Sequence, residues 1–481
     1  MRGGQLKILS SEQIYDIHMA TLDILQHTGV LVHEPTALRL LKDAGAEVDE
    51  KKELACIPPH LIEEAMRKAP RRFTLYAREP KYNVKIEDRK VYFEPMIGRK
   101  NILDAETGVT RSTTLQDVAS LVRLADAMEN YMILHSGAMM PHIEGVPDEV
   151  AHVHGYLVSL RNAEKIVKGT GRGRRKAQDC IKMAAVLAGG EDELRKKPNM
   201  FTTCNPISPL QHGRDQTEGI IEYARHMLPV DITAEVQAGA TSPVTLAGSL
   251  AVQNAEVLSG VLIAQLASPG APVFYGTCGS IMDLRTGMIA LGAVEAGLIN
   301  AASVQMAQYY GIPCRGTGGA TEAKTLDIQA GYEKAITLLM AALAGANCIF
   351  YPGVLEFALT ISLESLYIDN EICGMVYRAL RGIQVDDSTL ATEVVEKAGA
   401  GGHFLGQKHT LEHLKAEQYI PIISDRESRE MWESKGKRDL RDVAKERVKE
   451  VLKEHQPKPL DSTVEDELTR IVKEVEKREL G

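Results

Sequence analysis

The chain has 481 residues, 44% hydrophobic and 25% charged, with a formal net charge of -9. That composition excludes disordered and fibrous classes, and the acidic balance, without a basic stripe interleaved with aromatics, argues against a nucleic-acid partner. The length exceeds one usual compact core, so one large barrel with additions is the economical reading.

The chain opens with three amphipathic helices. SSEQIYDIHMATLDILQHTG has Ser10 or Ser11 to cap it and Gly29 to stop it. EPTALRLLKDAG repeats its apolar residues at helical spacing, and IPPHLIEEAMRKAP carries prolines in its first turn. After Pro80 the period changes to two, and YNVKIEDRKVYFEP and KNILDAETGVTRS predict strands joined by turns. Residues 1–114 therefore form a helix-plus-β cap.

From residue 115 to 407 short apolar strands alternate with Ala- and Leu-rich helices, which predicts a parallel (β/α)8 TIM barrel of the α/β class. The predicted strands are 131–138, 165–171, 199–206, 229–239, 272–280, 312–319 and 347–354, with GHFLG at 402–406 as a weak eighth. The competing doubly wound sheet would need a nucleotide-binding Gly-rich turn, and GTGRGRR after the second strand fits that pattern badly. GRGRR reads as a solvated helix start. The extension from 408 to 481 is charged and helical, with apolar residues at i, i+3 and i+4 between Glu and Lys.

No apolar run reaches the roughly 18–20 residues of a membrane span, and the first residues lack a signal core, so a cytoplasmic location and no membrane partner are expected. The seven cysteines form no CxxC pair and read as packed, reduced thiols. No metal is expected, because HExxH is absent and HVH at 152–154 reads as helix surface. A GxSxG nucleophile elbow is absent too.

Barrel sites lie at the C-terminal strand ends, which here offer His135, Lys168, Thr203, Asn205, Glu235, Gln237, Tyr275, Thr277, Arg315, Thr317, Phe350, Tyr351 and Glu356. Aromatic residues make up only 5%, and Tyr92, Phe93, Phe274, Tyr275, Phe350, Tyr351 and Phe357 fall at or just after strands. Ring faces attract a quaternary ammonium, so these are substrate-binding candidates beside their reading as core. Strand alternation allows one of the 350/351 pair to face inward, and Tyr275 is expected to be its partner.

Three long blocks carry a specific resemblance: TLDILQHTGVLVHEPTALRLLKDAGAEVD, IPPHLIEEAMRKAPRRFTLYAREP, and GTGGATEAKTLDIQAGYEKAITLLMAALAGANCIFYPGVLE with IDNEI. They resemble the trimethylamine methyltransferase superfamily over nearly the whole chain. The resemblance implies methyl transfer from a methylated amine to cobalt on a separate corrinoid protein, with no tightly bound cofactor and a homo-oligomeric assembly. Founding members carry pyrrolysine in the block matching GANCIFYPGVLEFA, and at that position stands Glu356. Pyrrolysine is thought to capture an amine through its lone pair. A quaternary ammonium has none, so the departure implies a betaine substrate, glycine betaine first. Glu356 is then a catalytic candidate through charge attraction, or a helix cap, and Arg315 or Lys168 would meet the carboxylate. Another betaine, a tertiary methylamine, or a silent betaine-binding protein are the alternatives.

Overall fold

The computed structural model describes residues 5–481. Its centre is a closed parallel barrel of eight strands: β1 Tyr92–Glu94, β2 Ile133–Leu134, β3 Ile166–Val167, β4 Thr202–Cys204, β5 Val230–Ala234, β6 Val273–Thr277, β7 Cys314–Thr317 and β8 Cys348–Phe350. Strands β4 to β8 pair in sequence order, and β8 then pairs with β1 through Phe350↔Glu94. Closure continues through the Phe93↔Tyr131 bridge into β2, the β2–β3 ladder, and a 3.1 Å bond from the Gly169 N–H to the Phe201 carbonyl next to β4.

Seven of the expected strands are present, and the eighth is corrected. GHFLG at 402–406 makes no ladder, and Leu405 is 85% exposed. The barrel is closed instead by β1, which lies inside the stretch expected as cap. Its Glu94 carboxylate points into the barrel, where two buried cations meet it.

The helices alternate as expected: α1 Leu115–Ala127, α2 Ala151–Arg161, α3 Arg174–Ala188, α4 Arg214–Arg225, α5 Leu246–Ala267, α6 Val294–Tyr310, α7 Ile328–Ala344 and α8 Leu363–Arg381. Thr114 and Asp117 form a capping box at the start of α1, satisfying first-turn N–H groups. Gly311 and Gly345 end α6 and α7 in the left-handed conformation. Helix α5 is 22 residues long and apolar enough to cross a membrane, contrary to the expectation that no run reaches that length, but 78% of its apolar window is buried within the fold. Packing against the cap helices, α4 and the barrel accounts for its apolarity.

A hairpin, Phe73–Leu75 with Val84–Ile86, plugs the N-terminal end of the barrel, where Leu75, Val84 and Ile86 pack on Ile133, Ile166, Phe201, Phe274 and Cys348. At the other end, strands Asn101–Leu103 and Thr110–Ser112 join Val354–Leu355 and Thr360–Ile361 in one small sheet. The charged C-terminal helices are not solvated on every side. Leu440–Glu454 packs on α1 and α8, and Ser462–Leu480 packs on α2 and α3. The HVH expectation is likewise corrected: His152 is buried and bonded to Asp179 at 3.0 Å, and Asp179 also takes a fork of bonds from Arg478.

Candidate active site

Because residues alternate along a strand, each barrel strand sends one set of side chains inward and the other to the helices. On β6, Phe274 points into the plugged end, Gly276 sits one layer higher and Cys278 reaches the mouth, while Tyr275 points out. A Cβ at Gly276 would stand 2.2 Å from Thr233 Oγ1 and 2.3 Å from Asp231 Oδ1, so the absent side chain makes room for a polar layer.

That layer is a buried charge quartet. Arg315 donates from Nε and Nη2 to the two oxygens of Glu94, both at 2.8 Å, and from Nη1 to Asp231 Oδ2 at 2.8 Å. Lys168 lies 3.1 Å from Glu94 and donates to Thr203 Oγ1 at 2.6 Å. Thr203 and Thr233 in turn donate to Asp231 at 2.9 and 2.6 Å. Two cations and two anions cancel, with every printed bond to Asp231 falling on Oδ2 and its Oδ1 buried without a hydrogen-bond partner. Burial pushes the Lys168 ammonium down to about 8, aided by Arg315 and resisted by Glu94 and Asp231. Burial also pushes the Glu94 carboxyl upward, but Arg315 and Lys168 outweigh it and hold the group below its ordinary value.

On this floor lies a cavity of about 280 Å³ at the C-terminal face of the barrel. Its inner wall includes Met96, Arg99, His135, Thr203, Asn205, Glu235, Cys278, Arg315, Phe350 and Tyr351, and its rim includes Lys100, Arg172, Ala358 and Leu359. Burial, reinforced by Lys168, Arg99 and Arg315, keeps His135 far below its usual imidazole range and so neutral. Burial raises the Glu235 carboxyl, with Arg99 and Cys278 opposing. Cys278 Sγ lies 3.7 Å from Glu235 and 3.2 Å from the Tyr351 hydroxyl, and burial holds its thiol protonated. No group of three or more metal-ligating side chains occurs among the described residues.

Both Phe350 and Tyr351 line this cavity, against the expectation that only one could. Tyr351 adopts φ 106°, a left-handed-side conformation rare for an aromatic residue, just beyond the end of β8. That single reversal breaks the alternation and brings two consecutive rings to 4.6 Å between centroids, tilted by 47°. The Arg315 guanidinium covers the Phe350 ring at 3.6 Å, and Arg99 stands 5.8 Å from the Tyr351 ring.

The other expected rings lie elsewhere. Tyr275 is packed in the outer layer, where its hydroxyl donates to Asn254 Oδ1 at 3.0 Å and its ring stacks on Tyr310. Phe93 packs edge-on against Tyr377 of α8, and Tyr92 packs at the plugged end with its hydroxyl on the Lys85 carbonyl. Phe357 lies outside the cavity wall, under the Lys324 ammonium.

Glu356 is also outside the wall. It belongs to a run of three left-handed residues, Glu356, Phe357 and Ala358, at φ 52°, 57° and 61°. Its carboxylate accepts from Thr360 Oγ1 at 2.6 Å, and its N–H donates to the Ala323 carbonyl at 2.9 Å. The side chain thus holds the turn that carries Ala358 to the cavity rim. Arg315 and Lys168, expected to meet a substrate carboxylate, already have theirs in Glu94 and Asp231.

Comparison with known proteins now decides the family. The model of the family described as "Trimethylamine methyltransferase (MTTB)" matches residues 2–481. The chain belongs to the trimethylamine methyltransferase family. It is 36% identical over 474 residues to the glycine betaine methyltransferase of Desulfitobacterium hafniense (strain Y51), covering 98% of each chain. It is 37% identical over 485 aligned positions to the trimethylamine methyltransferase MttB of Methanosarcina barkeri (strain Fusaro / DSM 804), covering 99% of this chain and 97% of that one. Among solved structures, the Methanosarcina barkeri monomethylamine methyltransferase (MtmB) superposes with a TM-score of 0.54 at 12% identity, covering 98% of this chain and 95% of that one. That likeness supports the barrel fold. The family's enzymes are methyltransferases, and so is this chain.

The signal for Glu94 and Asp231 was present in the sequence: each is an acid inside an otherwise apolar strand, YFEP and VDITA. A buried acid demands a cation, and Arg315 and Lys168 stand at equivalent depth on other strands. Arg99 carried no such signal, because it follows a strand on an irregular segment.

Proposed function

We propose that the chain demethylates a quaternary ammonium carboxylate, with glycine betaine the leading substrate, and hands the methyl group to Co(I) of a separate corrinoid protein. The observation that carries this reading is the presence of two consecutive rings, Phe350 and Tyr351, together on one small cavity wall. A ring face stabilises a desolvated trimethylammonium group by about 0.5–2 kcal/mol, without needing a lone pair or a covalent handle, and with Arg315 already over one face of Phe350 that contribution is counted for Tyr351.

The chemistry suits such a site. The methyl carbon would take an electron pair from the corrinoid acceptor as the C–N bond breaks with its electrons remaining on nitrogen, so that a neutral tertiary amine would leave. No proton has to move, which fits a cavity whose His135 is held neutral and whose Cys278 is held protonated. The chain's own contribution is to bind, orient and dehydrate the cation at the barrel mouth, where a large methyl acceptor can approach. Glu235 adds a carboxyl group to the same wall, and a bound cation would favour its ionised form.

Glu356 stands where the resemblance expects pyrrolysine, and its side chain serves the turn. This supports a substrate that needs no adduct. The decisive experiment mixes the purified protein with cob(I)alamin and a panel of betaines. Methylcobalamin and dimethylglycine are expected in equal amounts from glycine betaine. No methylcobalamin from any member of the panel would sink the reading.

A further inference from the structure

We infer that Arg99 is the carboxylate-binding residue of the cavity and sets its preference for ammonium substrates that carry an acid group. The inference rests on the quaternary-ammonium reading above and adds a binding group to it.

Three observations converge on this arginine. The first is elimination by geometry. Of the cations on the cavity wall or beneath it, Arg315 and Lys168 are consumed by Glu94 and Asp231, while Lys100 and Arg172 are exposed on the rim. Arg99 is on the wall and, among the described residues, forms no ion pair with a carboxylate.

The second is an unmet donor. Arg99 gives Nη1 to the Ala358 carbonyl at 3.0 Å, and its Nε is buried with no hydrogen-bond partner. An orphaned buried donor on a charged group is costly, and of the arginines with one here (Arg78, Arg99, Arg123 and Arg174) Arg99 is the one on the cavity wall. The donors that remain are Nε and the other amino group, which together present the edge that grips a carboxylate with two parallel bonds.

The third is position. The guanidinium is 5.8 Å from the centre of the Tyr351 ring, and that ring is 4.6 Å from Phe350. A short zwitterion could lay its ammonium on the rings and its carboxylate on Arg99 without leaving the cavity. Burial lowers the Arg99 pKa while Tyr351 and Glu235 raise it, and an arginine remains cationic under such opposition.

The test measures binding of glycine betaine and of tetramethylammonium, which lacks the acid group, by calorimetry without any cobalt reagent. The native protein is expected to bind glycine betaine at least tenfold more tightly. In Arg99→Gln the glycine betaine Kd rises at least a hundredfold and the tetramethylammonium Kd changes less than threefold. Arg99→Lys, which keeps the charge but loses the fork, recovers part of the betaine affinity. Equal losses for both ligands, or an unchanged betaine Kd in Arg99→Gln, overturn the assignment. A native protein that binds tetramethylammonium as tightly as glycine betaine also overturns it, yet leaves the quaternary-ammonium reading standing; that reading fails separately if neither ligand binds.

Discussion

Glu94 balances two cations at once, so Glu94→Gln should expose how the floor of the site is held. The native quartet sums to zero, with Glu94 and Asp231 against Arg315 and Lys168, all essentially inaccessible to solvent. The substitution keeps the shape but leaves one uncompensated buried positive charge. Stranding a buried charge costs about 3–5 kcal/mol. A chain of 481 residues unfolds with an entropy of about 1 kcal/mol/K, from about 2.1 cal/mol/K per residue, so the melting midpoint should fall by about 3–5 °C. Removing the surplus cation as well, in Glu94→Gln/Lys168→Met, should return at least half of that loss, because Asp231 and Arg315 then balance. The pH dependence has a definite sign. The Lys168 ammonium sits at about 8 in the folded chain, below its ordinary 10.5, so the unfolded chain binds more protons between those values and folding is favoured as pH rises through them. Without Glu94 the folded value drops further, and the deficit of the single variant should narrow between pH 7 and 9. Scanning fluorimetry on the native, single and double variants at both pH values reads all of this. A Glu94→Gln midpoint within about 1 °C of native, or a double variant that loses the sum of its parts, would refute the charge-balance account.

Tyr351→Ala should weaken quaternary-ammonium binding at least tenfold, whereas Tyr275→Phe, which loses only the bond to Asn254 outside the barrel, should leave the calorimetric Kd within twofold. Gly276→Ala should destabilise the fold by about 2 kcal/mol or more, because its methyl would collide with Asp231 and Thr233; a normal urea midpoint would show that the layer can yield. Burial pushes Glu256 on α5 from 4.5 to about 7, so the folded chain binds the extra proton between those values and loses about 3 kcal/mol of stability as pH rises across them. Glu256→Gln keeps an acceptor for the Leu210 N–H and offers the Ser208 hydroxyl an amide donor in place of the second acceptor, and should flatten that slope in urea titrations at pH 5 and 8. Glu356→Gln should change betaine affinity less than threefold; a tenfold loss would return Glu356 to the site.

The repeat of short apolar strands and Ala-rich helices was enough to place seven barrel strands, because burial on both faces leaves a local signature that needs no knowledge of neighbours. Of the strand-end residues, His135, Thr203, Asn205, Glu235, Arg315, Phe350 and Tyr351 line one cavity, whereas Lys168, Gln237, Tyr275, Thr277, Thr317 and Glu356 lie outside its lining. What a strand residue touches was not local. Tyr275 and Phe274 are adjacent aromatics on one strand, and only the register of the closed barrel turned the first toward Asn254 and the second toward the plugged core. Closure itself was decided by pairing across the whole chain, since β1 lies more than 250 residues from β8, its partner, and reads alone as one more cap strand. Arg315 looked like a free cation because its acids sit on β1 and β5, far away in the chain. Residue types and their periodicity thus settled the elements and the layer each side chain could occupy. Tertiary structure settled which charges were already spent and, through one reversed φ at Tyr351, which rings line the cavity.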